Sequence, residues 1–181
     1  YDGKQSYPVN LPSMNFSKVL TMPGGELTLY LTSSELENND EPPASAPKLV
    51  IPNEVSDFYI LISLEKSDSA LPMRLQSINI SKGQLAPGET LWTNLTDHQI
   101  HAQLGEIEVS ISPDSKTISK EPVESSGYYK AEFSFQPNAK GDFYRITEQH
   151  WWHDAKSRHL GFIVDSRGRL PKIYFYRDFR L

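Results

Sequence analysis

Hydrophobic and polar residues alternate with a period of two along most of this chain. The pattern is clearest in residues 27–32, 107–111 and 129–135, where mostly Leu, Ile, Val and Phe alternate with Thr, Glu, Ser and Lys. A period of two places the apolar side chains on one face of a β-strand and the polar ones on the other. No segment keeps a helical period, so the pattern predicts antiparallel sheets with one face buried and one face in water.

Short turn sequences separate these apolar runs. They include Pro23-Gly24-Gly25, Ala86-Pro87-Gly88 and Ser112-Pro113-Asp114, which combine the residues that favour tight turns. Many short strands with this spacing are typical of sandwiches and barrels. We therefore predict an all-β fold, an antiparallel two-layer β-sandwich that is immunoglobulin-like or similar.

The apolar phase of each predicted strand also predicts the core. Residues 58–64 are apolar on both faces, which indicates a central strand. The side chains that we expect to be buried are Leu29, Ile60, Ile62, Ile107, Val109, Phe133, Phe135, Leu160, Phe162, Ile173 and Phe175.

Composition predicts how the chain is organised. At 181 residues it suits one domain. Residues 33–47 are acidic and rich in proline, with one large apolar residue, so they predict an exposed loop or linker. We expect residues 1–56 to supply N-terminal strands around this loop, packed on the same domain as a main β-sandwich of residues 57–181.

The C-terminal part reads as three consecutive strands, over residues 142–152, 159–165 and 170–177. Folding them back on one another across residues 153–158 and 166–169 predicts a three-stranded antiparallel meander. In this register one face carries Trp151, Leu160 and Phe175, and the other face carries Trp152, His159 and Tyr176.

The second of these faces is the candidate binding surface. Its first cross-strand row is Trp152, His159 and Tyr176, and its next row contains His150 and Tyr174 beside Gly161. Aromatic rings next to a glycine make a platform on which a sugar ring or a partner's side chain can stack, with indole and phenol groups as donors. The alternative is that the rest of the chain covers this face. Gly161 would then admit a ring from a neighbouring residue.

The histidines suggest a weaker alternative, a metal site. His98 and His101 form one His-x-x-His pair and His150 and His153 form another. That spacing places two side chains on opposite faces of a strand, so neither pair chelates a metal by itself. A site would need His150 and His159 from neighbouring strands together with Glu148. Our primary expectation is that no metal and no cofactor is bound.

Composition excludes several classes of protein. The chain has no cysteine, which excludes disulfides and cysteine nucleophiles. No apolar stretch is long enough to span a bilayer, so we expect no membrane insertion. The net charge is −5, with nine Lys/Arg against five Asp/Glu in residues 140–181. This basic excess is too sparse for a nucleic-acid binder. Gly-x-Ser-x-Gly, His-Glu-x-x-His and phosphate-loop motifs are absent, so we expect no enzymatic activity.

Four segments resemble uncharacterised secreted bacterial β-sandwich proteins. They are Ser77-Ile-Asn-Ile-Ser81, Leu85-Ala-Pro-Gly-Glu89, Phe143-Tyr-Arg145, and Phe162-Ile-Val-Asp165 followed by Gly168-Arg169. The resemblance covers residues 57–178 and implies only a fold and a secreted or periplasmic location, because no activity is attached to that group. Tyr1 in place of an initiating Met is compatible with removal of an N-terminal segment.

Together these observations predict a non-enzymatic binding or scaffolding module that acts outside the cytoplasm, with a protein or glycan partner. The first alternative is a glycan-binding module that uses the aromatic face. The second is a metal-dependent or acid/base enzyme that uses His150, His159 and Glu148. Exposure of Trp152 and Tyr174 would favour the glycan hypothesis, and convergence of the histidines would favour the enzyme.

Overall fold

The computed structural model describes residues 1–12, 15–65, 70–137, 141–166, 168 and 170–179. Strands make up 46% of the described residues, which contain no helix. It follows that no described helix could cross a membrane. The prediction of an all-β fold is confirmed.

The chain divides into two compact units, Tyr1–Gln84 and Leu85–Leu181. Unit 1 contains β1 (Leu27–Tyr30), β2 (Lys48–Ile51), β3 (Phe58–Leu64) and β4 (Met73–Asn79). Unit 2 contains β5 (Thr90–Asn94), β6 (Gln99–Leu104), β7 (Ile107–Ile111), β8 (Ser115–Ser119), β9 (Gly127–Gln136), β10 (Tyr144–His153), β11 (Arg158–Val164) and β12 (Lys172–Asp178).

Unit 1 consists of two antiparallel hairpins, β1 with β2 and β3 with β4. The acidic segment 33–47 is part of the loop that joins β1 to β2, as predicted. The Tyr1 hydroxyl donates to the backbone carbonyls of Glu37 and Asp40 in this loop. Strands β3 and β4 belong to this unit, whereas the sequence analysis grouped residues 57–84 with the C-terminal sandwich.

Unit 2 is a two-layer sandwich. One sheet has the order β10-β9-β6-β7 and the other has the order β12-β11-β5-β8. All pairs are antiparallel except β5 with β11, which are parallel. In the immunoglobulin arrangement the first two strands are neighbours in one sheet, whereas here β5 and β6 lie in different sheets. The sandwich prediction is confirmed, but the strand order is not the immunoglobulin one.

The core of unit 2 surrounds Trp92, which is fully buried on β5. Its indole N–H donates to Ser119 Oγ at 3.0 Å, so the one polar atom of the ring is satisfied. Its ring packs on Phe133 and Phe175, with centroids 5.2 and 5.9 Å away. A Cβ built at Gly161 would overlap the same indole ring. Glycine is therefore needed at position 161 to admit Trp92, as expected for a covered position.

The C-terminal meander was predicted wrongly, although its three strands exist. Strands β11 and β12 pair as an antiparallel hairpin. Strand β10 pairs with β9 in the opposite sheet, so the turn at residues 154–157 crosses from one layer to the other. After this turn, two backbone hydrogen bonds join the chain to the residues just before β5. Gly88 N–H donates to the Ser157 carbonyl, and His159 N–H donates to the Glu89 carbonyl. These bonds place β11 alongside β5 instead of β10.

The predicted register of β11 and β12 was also wrong, by one residue. His159 lies opposite Arg177, and Leu160 lies opposite Tyr176. A slip of one residue moves every side chain to the other face of the sheet. The connection runs from Val164 to Lys172, longer than the predicted turn at 166–169, of which residues 167 and 169 lie outside the described residues. His159 therefore faces the core, and Tyr176 faces the opposite side.

Most of the predicted core residues are shielded from solvent. The buried members are Leu29, Val109, Phe133, Phe135 and Leu160, and the half-buried members are Ile62, Ile107, Phe162, Ile173 and Phe175. Ile60 is exposed to 36%, so its burial was predicted wrongly. It lies on β3, which among the described strands pairs only with β4 and is therefore not the central strand that its composition indicated.

Candidate functional site

The outer face of β10 carries an exposed aromatic pair. Trp152 lies directly opposite Tyr128 of β9, and the two rings meet edge to face with centroids 4.9 Å apart. Trp152 is 44% exposed and Tyr128 is 71% exposed. Large aromatic side chains at such exposure are candidates for ligand contact, because they expose apolar area that folding did not bury.

His150 and Glu148 follow on the same outer face. His150 is exposed and lies opposite Lys130 of β9. Glu148 forms ion pairs with Lys130 and with Arg145, both at 2.8 Å. The hydrogen bond from Lys130 is the main cause that lowers the pKa of Glu148. Glu148 is therefore held as a carboxylate in a surface ion-pair cluster.

A groove opens where the two sheets present their edge strands β10 and β12. We call it the edge groove; it has a volume of about 430 Å³ and is lined by His150, Trp151, Trp152, Phe175 and Arg177. The groove is shallow and open to solvent, so it would contact a ligand along one side only.

Trp151 and Phe175 form the apolar part of the groove. Both are half-buried, and their ring centroids lie 5.0 Å apart across the two sheets. Trp151 also packs on Phe133 of the core at 5.3 Å, and its indole N–H donates to Gln149 at 3.1 Å. Because core rings support these two side chains from below, the groove floor is fixed before any ligand arrives.

Arg177 and His150 are the ionisable side chains of the groove. Arg177 is exposed on β12, and its guanidinium lies over the ring of Phe179, 5.0 Å from the centroid. Among the described residues, no carboxylate lines the groove. Hydrogen bonds from Ser157 and from the Lys156 backbone lower the pKa of the nearby Asp154, and the charge of Arg177 lowers it by a smaller amount. The polar character of the described groove lining is therefore cationic.

His159, predicted as a surface site residue, is fully buried in the core instead. Its ring stacks on Phe175 with centroids 5.2 Å apart and faces His153 at 5.3 Å. Neither of its ring nitrogens has a hydrogen-bond partner among the described residues. Burial is the main cause that lowers the pKa of His159 to about 4, and the neighbouring His153 acts in the same direction. Burial also lowers the pKa of His153.

The residues of the metal or acid/base alternative are not brought together. His150 and Glu148 are on the outer face of β10, whereas His159 is inside the sandwich. In the part of the chain that the structure describes, no three His, Asp or Glu side chains form a group that could hold a metal ion. The pair that does meet, His153 with His159, was not predicted.

Tyr174 and Tyr176 are not neighbours of Trp152 in the observed pairing. Tyr176 lies opposite Leu160 and Tyr174 lies opposite Phe162. Both tyrosines are half-buried on the face of β12 away from the groove, where Tyr176 packs on Phe162 at 6.0 Å. Of the five predicted site residues, the groove therefore contains Trp152 and His150.

Sequence reasoning missed Trp151, Phe175 and Arg177 as site residues. Trp151 and Phe175 were assigned to the apolar layer, which is where their rings lie, but an edge position leaves each partly open to solvent. The predicted register of β11 and β12 was shifted by one residue, so it placed Tyr176 opposite His159 where the structure has Arg177. The correct register would have placed a cation beside the aromatic residues.

No protein-family model and no curated protein matches this chain.

Proposed function

We propose that unit 2 is a glycan-binding module and that the edge groove holds the ligand. This is the narrower form of the binding or scaffolding role that the sequence predicts. The observation that carries the proposal is the placement of Trp152, exposed to 44%, at the rim of a groove whose lining also includes Trp151.

The chemistry of the groove suits a sugar ring. The apolar face of a pyranose can stack on an indole, while its hydroxyls need donors and acceptors at the ring edge. His150 and Arg177 supply side-chain donors. Strand β10 is the edge of its sheet, and an edge strand presents unpaired backbone N–H and C=O groups. Stacking and hydrogen bonding can therefore act on one ligand together.

The role requires no catalytic step. The one carboxylate on β10, Glu148, forms ion pairs with Lys130 and Arg145.

We also propose that the module acts outside the cytoplasm, where polysaccharides are abundant ligands. Detection of the native protein in the secreted or periplasmic fraction of its own cells would support that location, and confinement to the cytosol would contradict it.

The test is a glycan screen with the full chain and two aromatic variants. Trp152→Ala should weaken glycan binding about fivefold or more, because stacking on one aromatic ring contributes roughly 1–3 kcal/mol by analogy with other flat ligands. Tyr144→Ala is the matched control, because Tyr144 is an exposed aromatic residue of the same strand that does not line the groove.

Thermal melting separates a binding role from a packing role. Because Trp152 is partly exposed, Trp152→Ala should melt within a few degrees of the wild type. A large loss of melting temperature together with no ligand in the screen would refute the proposal. Equal loss of binding in Trp152→Ala and Tyr144→Ala would also refute it.

A further inference from the structure

We infer that the ligand of the edge groove is an acidic oligosaccharide whose carboxylate is bound by Arg177. This inference rests on the proposed function and names the class of sugar. It starts from the charge of the groove lining, in which the described ionisable residues are Arg177 and His150 and none of the described lining residues is a carboxylate.

Arg177 is positioned for a carboxylate at the groove wall. It lies on β12 two residues from Phe175, on the same face, so its guanidinium stands beside the aromatic floor. The Phe179 ring, 5.0 Å below, orients the planar group by a cation–π contact. A guanidinium held in this way can donate two parallel hydrogen bonds to a carboxylate.

Among the described residues, the neighbouring Asp154 forms no ion pair with Arg177, although the two charges interact. Asp154 accepts hydrogen bonds from Ser157 Oγ at 2.8 Å and from the Lys156 N–H at 3.1 Å. Its carboxylate is therefore already satisfied within its own turn. Arg177 remains a cation with donor capacity for a ligand.

His150 lies across the groove from Arg177, on the β10 side. It can donate a hydrogen bond to a hydroxyl or to a second acidic group of the same oligosaccharide. Donors on both strands and indole rings in the same groove suit an acidic sugar, which offers a carboxylate, hydroxyls and a ring face together. A neutral sugar would offer the guanidinium no carboxylate for two parallel hydrogen bonds.

The decisive probes are oligogalacturonate and its fully methyl-esterified form, measured by calorimetry on the full chain. The two share every ring and hydroxyl, and only the first carries carboxylates. We expect the ester to bind at least about tenfold more weakly, since a hydrogen bond between charged groups contributes roughly 1.5–3 kcal/mol. Binding of the acid should also weaken as salt is added.

Substitutions assign the carboxylate contact. Arg177→Gln should weaken acid binding about ten- to a hundredfold, and Arg177→Lys should recover only part of it because the two-pronged geometry is lost. Lys172→Gln removes the same charge from the other end of β12, outside the groove, and should bind like the wild type. Melting curves of the three variants should coincide with that of the wild type.

The outcomes separate this inference from the function it rests on. Equal binding of acid and ester, or no effect of Arg177→Gln, overturns the acidic ligand; if Trp152→Ala still abolishes binding, the glycan module stands. Acid binding that Lys172→Gln weakens as much as Arg177→Gln also overturns the inference, because it indicates diffuse charge attraction. Failure of every charged and neutral glycan to bind overturns both proposals.

Discussion

Replacing Gly161 with alanine tests the packing that holds the two sheets of unit 2 together. A Cβ at this position would lie 2.9 Å from Cδ2 of Trp92, and closer still to Cε3 and Cζ3. Carbon atoms in contact normally stay about 3.5–4.0 Å apart. Trp92 cannot retreat easily, because it is fully buried against Phe133 and Phe175.

The size of the effect follows from two opposing terms. Overpacking of a filled core costs about 1–3 kcal/mol, and this overlap with a buried indole belongs at the upper end. Gly-to-Ala substitution restricts the unfolded chain and returns about 0.4–1 kcal/mol. We expect Gly161→Ala to lower the free energy of unfolding by about 2 kcal/mol or more, measured by urea unfolding.

Two comparisons make this prediction specific to Trp92. A Cβ at Gly127, also in a strand, would meet only Ser125 O at 3.8 Å, so Gly127→Ala should be neutral or slightly stabilising. In a Trp92→Leu background, which removes the overlapping atoms, Gly161→Ala should cost much less than in the wild type. If Gly161→Ala is as stable as Gly127→Ala, or if its cost is unchanged in Trp92→Leu, the packing argument is wrong.

Two further predictions concern buried ionisable groups. Asp178→Asn should destabilise the protein by about 3–5 kcal/mol, because it removes the carboxylate that pairs with the buried Arg158 guanidinium at 2.9 Å; urea unfolding checks this, and a loss under about 1 kcal/mol would contradict it. The folded state disfavours protonation of His159, whose pKa falls from 6.5 to about 4, so its contribution is complete above pH 6.5 and is lost as the pH falls towards 4. Between pH 7.5 and 5 the wild type should lose about 2 kcal/mol more than His159→Phe, and equal losses in urea unfolding would refute this.

Strand positions could be predicted from the sequence because alternation is a local property. In β9, the apolar residues Tyr129, Ala131, Phe133 and Phe135 are all buried, as their phase indicated. Burial on one face leaves this signature within a single strand. The same holds for the exposed loop 33–47, whose composition offers too few apolar side chains to pack.

Strand pairing could not be predicted because it depends on partners far along the chain. The four residues 154–157 are as short as a hairpin loop, and alternation in β10 and β11 fits a hairpin as well as a crossing between layers. Asp154 closes this turn through Ser157, and β5 then captures the chain at Gly88 and Glu89. Nothing within residues 142–165 signals that β5 is the partner.

The same crossing explains why the site was only partly predicted. In a meander, β11 would cover the free edge of β10, and Trp152 would lie on a flat outer face. Because β11 enters the other sheet, β10 stays an edge strand, and no described strand pairs with its second edge. Trp151 and Phe175 then meet across the open side of the sandwich, with Arg177 beside them. Because β10 and β11 were predicted to pair, the sequence predicted a flat aromatic face on one sheet, whereas the structure has a groove between two sheets.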